Sequence, residues 1–294
     1  MIRPRSDGRY FDGTLGGGGH GAAILEASSP LGELAGCDLD RQAISIASQA
    51  LAQYGTRSHL FNANYTEIDR ICTELGWKSL DGIVLDLGMS SMELDEAQRG
   101  FSFAADGPLD MRFDTSQQLD AHTVVNEYDP DDLSRVIYTF GEERFARRIA
   151  RRITESRPVS TTKALAEIVS SAIPRKFWPK RIHPATRTFQ AIRMEVNHEL
   201  DNLKEFLPDA AGLLSDGGVM AIISFHSLED RIVKQFFAGS STALLNRRGI
   251  PLPQEPPAVI FQRITKKSIT ASPEEITSNP RSRSARLRAA RRIS

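Results

Sequence analysis

Apolar positions in the first third of the chain come in short runs separated by amphipathic stretches. Runs at Tyr10–Asp12, Leu34–Cys37, His59–Phe61 and Gly82–Leu87 predict strands, and 3.6-residue spacing predicts helices over Ala22–Ala27, Arg41–Gln53 and Ile68–Leu75. Such alternation makes a parallel sheet covered on both faces, an α/β fold. The stretch from Gly88 to about Thr115 is long for a loop of that fold, and its Phe and Met content marks it as functional rather than disordered. From about residue 117 to 197 the strand pattern vanishes. Leu133, Val136, Ile137 and Phe140 keep helical spacing, as do Leu165, Ile168, Val169 and Ala172. A helix beginning at Pro184 should run through Phe189, Ile192, Val196, Leu200, Leu203 and Leu207 until Pro208 stops it. Strand sequence returns over Gly218–Ser224, and Ser227 to Asp230 opens a helix with capping-box spacing. Ala258–Thr265 reads as another strand, after a Pro-rich connector over Ile250–Pro257. The expected organisation is therefore an α/β domain in two pieces, 1–116 and 198–270. An inserted all-helical domain, 117–197, separates them, and a basic, flexible arm, 271–294, follows.

Composition narrows the class. The chain has 294 residues, enough for a large core, and its apolar runs are all shorter than the roughly 20 residues that cross a bilayer. Without a secretory-type leader at its start it reads as cytoplasmic, with no membrane partner. Two cysteines, Cys37 and Cys72, lie in or beside apolar sequence and read as buried thiols; six histidines show no ligand spacing, so no structural metal is expected. Lys plus Arg and Asp plus Glu both total 37, but the balance hides segregation. Residues 144–157 hold six arginines against one glutamate, and 281–294 hold six arginines and no acid. On a helical projection Arg144, Arg147, Arg148, Arg151 and Arg152 oppose Phe145, Ala146, Ile149, Ala150 and Ile153. That face is either a solvated amphipathic surface or a phosphate-binding one.

Candidate chemistry sits at the predicted strand ends. Asp12-Gly13-Thr14-Leu15-Gly16-Gly17-Gly18-Gly19-His20 joins a strand to a helix, and Gly16, Gly18 and Gly21 fit G-x-G-x-x-G. Glycines there let a ligand approach the backbone and a helix amino terminus. Asp38 ends the next strand, about 20 residues on, where an acid meets a ribose diol. Asp86 ends the fourth. Such a loop and Asp38 suit a nicotinamide dinucleotide or S-adenosylmethionine. The bulky His20 beside the loop, Tyr65 as an adenine wall and the Asp86-to-Ser91 segment favour the latter.

The whole chain resembles the RsmH (MraW) family. The resemblance is carried by DGTLGGGGH (12–20), LDLGMSS (85–91), RGFSF (99–103), DGPLDMR (106–112), HPATRTFQAIRMEVNHEL (183–200), SFHSLEDR (224–231) and NPRSRSARLR (279–288). It implies a class I, Rossmann-like methyltransferase with an inserted helical domain. The implied reaction is S-adenosylmethionine-dependent methylation of the exocyclic N4 of a cytosine in the decoding centre of 16S ribosomal RNA, with the small ribosomal subunit as partner. By motif match, Gly18, Gly19, His20, Asp38, Tyr65, Asp86 and Glu93 would line the cofactor site. Position 93 is commonly an amide in the family. Asp86, Ser90 and His226 are the candidates for handling the amino protons, and Arg147, Arg148, Arg151, Arg281, Arg283, Arg286 and Arg288 those for RNA phosphates. The family also carries a segment ahead of its first strand, whereas this chain opens at Met1-Ile2-Arg3-Pro4. An alternative is therefore a ribosome-associated protein that binds the cofactor without transferring the methyl; a dehydrogenase, which would have no use for the arginines, is the other.

Overall fold

A computed structural model describes residues 1–239 and 261–293. The chain runs β1 (Arg9–Asp12), α1 (Gly19–Ala27), β2 (Glu33–Asp38), α2 (Arg41–Leu51), β3 (Ser58–Asn62), α3 (Ile68–Glu74) and β4 (Leu80–Asp86). There follow α4 (Ser91–Asp95), α5 (Ala121–Glu127), α6 (Pro130–Gly141), α7 (Ala146–Glu155), α8 (Thr162–Ala172), α9 (Thr186–Val196) and α10 (Glu199–Leu213). The last described elements are β5 (Leu214–Ser224), α11 (Ser227–Gly239), β6 (Phe261–Arg263), β7 (Ile269–Thr270), α12 (Pro273–Ser278) and β8 (Arg286–Arg292). Two compact units result, one from Met1–Gly88 with Leu200–Ser294 and one from Met89–Glu199. No helix of the described residues is long and apolar enough to cross a membrane.

The first unit is the sheet unit. Its strand order is β3-β2-β1-β4-β5-β8-β6, with β7 also on β8. β3, β2, β1, β4 and β5 are mutually parallel, and β8 returns antiparallel beside β5. The chain starts at β1, moves outwards to β3, then crosses back to β4, so the order reverses between β1 and β4. Open sheets of this kind bind ligands beyond the carboxyl ends of the strands at that reversal. Ile83, Val84 and Leu85 of β4 are buried because helices cover both faces. Phe11, Ile83, Leu85, Phe206 and Met220 join one continuous core with α3, α10 and α11.

The second unit is all helix. Leu133 and Ile137 of α6, Ile149 and Ile153 of α7, Leu165 and Val169 of α8, and Ile192 and Val196 of α9 fill its core. Phe101, Leu109 and Met111 are buried in the same core, so the stretch predicted as a loop belongs to the helical unit. That moves the first boundary from 116/117 to 88/89. The continuous helix expected from Pro184 is broken at Asn197. The Asn197 side chain donates to the Met111 and Arg193 carbonyls (2.8 and 2.9 Å) and accepts from the Phe113 N–H (2.8 Å). His198 then turns through a positive φ of 51°. Pro208 does not stop α10. Burial of Phe206, Leu207, Ala210 and Ala211 offsets its missing hydrogen bond and ring clash, a cost of about 3 kcal/mol.

The arm predicted at the carboxyl end is a strand in part. β8 pairs with β5 from Val219↔Arg291 to Ser224↔Arg286, burying Ala289 and Ala290. Of the strand predicted over Ala258–Thr265, Phe261–Arg263 form β6; residues 258–260 and the Ile250–Pro257 connector lie outside the described residues.

Candidate functional site

Parallel register sets three carboxylates at one sheet edge. Asp12 pairs with Gly36 on one side and Val84 on the other, so Asp12, Asp38 and Asp86 close the neighbouring strands β1, β2 and β4. The glycine loop is pinned across that edge by its backbone. Gly13 N–H donates to the Val84 carbonyl and Leu15 N–H to the Cys37 carbonyl, each at 3.0 Å. A Cβ on Gly13 would lie 2.4 Å from Leu85 Cδ2 and 2.9 Å from Tyr65 Cβ, so only glycine admits this closeness. Gly18 caps α1 at φ 83°, a left-handed conformation that glycine adopts without strain. Gly19 and His20 form the first turn of α1. The Thr14 hydroxyl accepts the Asp86 N–H at 2.6 Å, tying the loop to β4.

Asp38 is held by two main-chain donors. Its Oδ2 accepts from Gly16 N–H (2.8 Å) and its Oδ1 from Asp40 N–H (2.9 Å). Burial nevertheless raises its pKa, against the pull of those amides. Asp12 is more perturbed. It has no exposed surface, its Oδ1 accepts Thr14 N–H at 3.2 Å, and its Oδ2 has no hydrogen-bond partner among the described residues. Burial pushes its pKa up to about 6, with Asp38 and Asp86 adding repulsion, although His20 and the Thr14 amide pull the other way. Asp86 Oδ1 is likewise buried without a hydrogen-bond partner among the described residues, and its Oδ2 lies 3.6 Å from His20 Nε2. That carboxylate raises the His20 pKa. Tyr65 opens the short turn after β3, and its ring meets Phe206 edge-on at 5.2 Å. A compact edge carrying three carboxylates, with acceptor atoms lacking donors, suits a cationic ligand that brings N–H and O–H groups.

The sheet unit therefore gathers Gly18, Gly19, His20, Asp38, Tyr65 and Asp86. Ser90 and Glu93 fall in the helical unit. There they form a capping box on α4, with Ser90 Oγ accepting Glu93 N–H (3.2 Å) and Glu93 Oε2 accepting Ser90 N–H (2.7 Å). His226 lies in the turn from β5 into α11. Its Nδ1 faces the Glu229 N–H at 3.4 Å, and its Nε2 sits 2.9 Å from Glu229 Oε1 without hydrogen-bond alignment. Glu229 also accepts the Phe225 N–H (2.9 Å), so this corner is a tightly tied helix start.

The arginines divide. Arg147, Arg148 and Arg151 stand on the exposed face of α7, opposite buried Ile149 and Ile153, and Arg151 shares Glu155 at 2.8 Å. Arg281 and Arg283 are exposed in a 3-10 turn, and Arg286 is exposed at the start of β8. Arg288 is a correction. It is 9% exposed and donates twice to Asp230, at 2.7 and 3.0 Å, which removes it from the phosphate contacts.

Asp12 and Thr14 were missed as site residues. Asp12 carried the same signal as Asp38 and Asp86, an acid ending an apolar run; Thr14 carried none, because its role depends on the β1–β4 pairing.

The family model described as the MraW methylase family matches residues 1–293. A relative from Syntrophotalea carbinolica, "Ribosomal RNA small subunit methyltransferase H", is 50% identical over 297 residues, covering 99% of this chain and 94% of its own. Proteins of the same name from Geobacter sp. (strain M21) and Dehalococcoides mccartyi (strain 195) are 46% and 47% identical. They cover 99% and 97% of this chain, and 95% and 81% of their own.

Proposed function

The chain belongs to the MraW methylase family, and from that we infer that it is an enzyme methylating the exocyclic N4 of a cytosine in 16S ribosomal RNA, with S-adenosylmethionine as methyl donor. The observation that carries this reading is the span of the match, which includes both the strand-edge site and the helical unit. The small ribosomal subunit is the proposed partner, and the cytoplasm the proposed location.

The strand edge fits the cofactor. Asp12 and Asp86 offer buried acceptors without partners to an ammonium group, and the cluster of carboxylates favours a cation. Asp38 accepts ribose hydroxyls on the lone pairs its two amide donors leave. Gly18, Gly19 and His20 give the ligand room beside the amino end of α1, and Tyr65 provides an adenine face. Glu93 is kept as a proposed lining residue from the family motif, and its capping box holds its segment in place.

The bound cofactor supplies a methyl group on a positively charged sulfur. The chain's own part is to hold a cytosine amino group in line, at about 3–3.5 Å, and to accept its proton. The amino lone pair is delocalised into the ring, so acceptors that turn it towards the methyl help most as positive charge develops on nitrogen. Asp86, the carbonyls of Leu87 to Met89, Ser90 and His226 are the proposed acceptors. Asp86 has a competing role towards the cofactor's ammonium group, the Ser90 hydroxyl already accepts the Glu93 N–H and His226 is set against Glu229, which favours the carbonyls. Arg147, Arg148, Arg151, Arg281, Arg283 and Arg286 are proposed to bind RNA phosphates. Tritiated-methyl transfer onto unmodified small subunits, followed by nuclease mapping of the labelled base, tests the reading; absence of label on cytosine N4 defeats it.

A further inference from the structure

The helical unit holds a cleft that the strand-edge site leaves unexplained. Its volume is about 680 Å³, and its lining includes Phe103, Trp178, His183, Lys163, Arg175 and Glu167. The rings are fixed in place. Phe103 lies 4.8 Å from His183 and packs edge-on against Phe189 at 4.7 Å. The Trp178 indole N–H donates to the Ile173 carbonyl (2.9 Å), which orients the ring while 36% of the residue stays exposed. Arg175 lies 5.6 Å from the centre of that ring. His183 Nδ1 accepts the Ala185 N–H at 3.2 Å, so a neutral imidazole carries its proton on Nε2 as a donor.

Charge adds a second constraint. Neither Lys163 nor Arg175 is in an ion pair among the described residues. Oriented rings beside unpaired cations answer the needs of a nucleotide: a flat π surface, a phosphate, and a base edge with donors and acceptors. Asp106 acts on the Lys163 charge only through space and Glu167 is the one acid of the lining, so a wholly apolar partner would cover two cations that no close carboxylate neutralises.

We propose that this cleft binds one unstacked nucleotide of the RNA substrate, other than the cytosine that is methylated. The base lies against the aromatic side chains, and its phosphate is held by Lys163 and Arg175. Glu167 accepts from an amino or imino N–H on the base edge, and His183 Nε2–H donates to a ring nitrogen or carbonyl oxygen. This rests on the RNA-methylating reading above and adds a second point at which single-stranded substrate is gripped.

The chain has two tryptophans, and Trp77 is 5% exposed in the sheet unit, so ligand-induced quenching reports on Trp178. Full-length protein without cofactor is titrated with a single-stranded RNA tetranucleotide and, separately, with a duplex of the same sequence. The single strand should quench saturably and the duplex should not. Trp178→Ala removes the reporter, so its binding is read by titration calorimetry, where the tetranucleotide Kd should rise by about tenfold or more, as should the KM for small subunits. Trp178→Phe should restore most of that loss, and kcat and cofactor affinity should stay unchanged. The double variant Lys163→Ala/Arg175→Ala, altered only at exposed positions, should weaken binding without lowering Tm. The proposal is overturned by absence of quenching at millimolar tetranucleotide, by equal quenching with the duplex, or by a double variant whose Kd and KM match the parent. Saturable quenching in a protein that transfers no methyl would instead overturn the methylation reading and leave the cleft standing.

Discussion

Replacing Asp12 with asparagine should make the cofactor-free protein more stable and a weaker binder at once. The Asp12 carboxyl is wholly buried and its pKa rises from 3.8 to about 6. Each pKa unit corresponds to about 1.4 kcal/mol, so keeping this group ionised inside the fold opposes folding by about 3 kcal/mol. The unfolded carboxyl loses its proton near pH 4 and the folded one near pH 6. Between those values the folded state binds the extra proton, so its stability falls as pH rises and stays low above pH 6. Asparagine removes the charge and keeps an acceptor for the Thr14 N–H, although its amide hydrogens need partners. The net gain at pH 7.5 should be about 1–3 kcal/mol, a rise in Tm of a few degrees. Scanning calorimetry from pH 4.5 to 8 would show a parent curve that falls through pH 6 and a flatter variant curve. Titration calorimetry should show cofactor affinity reduced by about tenfold or more. A variant with the parent's pH dependence and Tm would refute the assignment of a strained, ionised Asp12.

Asp38→Ala should weaken cofactor binding by about tenfold to a hundredfold, and because it also strips acceptors from Gly16 and Asp40, Asp38→Asn should lose less; equal affinities by calorimetry would take Asp38 out of the site. The His20 imidazole should titrate above 6.5 in the cofactor-free protein, since Asp86 raises it. The pair stabilises the fold below pH 6.5, and that contribution disappears as pH rises past the folded pKa; in NMR titrations Asp86→Asn should bring the His20 value down. Neutralising Arg147, Arg148 and Arg151 should lower the salt slope of RNA binding by up to about 3 with Tm unchanged. An unchanged slope would leave that face merely solvated. Arg288→Ala should instead lower stability by about 3 kcal/mol, because it removes two hydrogen bonds to the buried Asp230 and leaves that charge only the longer Arg286 contact at 3.7 Å; thermal melts separate the two classes of arginine.

Much of the sheet edge was legible because its signals are local. An apolar run followed by an acid fixes both a strand and the end at which Asp38 or Asp86 stands. Helical spacing marked α6 and α8 for the same reason. What escaped the sequence was decided at a distance. Arg288 reads like Arg281 until β8 pairs with β5 and brings it to Asp230. The break before α10 depends on Asn197 reaching the backbone of Met111 and Phe113. Ser90 and His226 each also start a helix through an acid three residues on, a local spacing the sequence carries but that reading them for chemistry passed over.

The split make-up of the sheet unit bears on synthesis. β1 to β4 leave the ribosome before the other strands of the sheet, yet β4 finds β5 only after more than a hundred further residues, and β5 is closed by β8 only after about sixty more. The all-helical insertion draws its core from nearby sequence and is free to condense meanwhile. During that interval the bare flank of β4 is exposed to aggregation, so slowed elongation or loss of the closing strand should send nascent chains to chaperones before any defect in catalysis is felt.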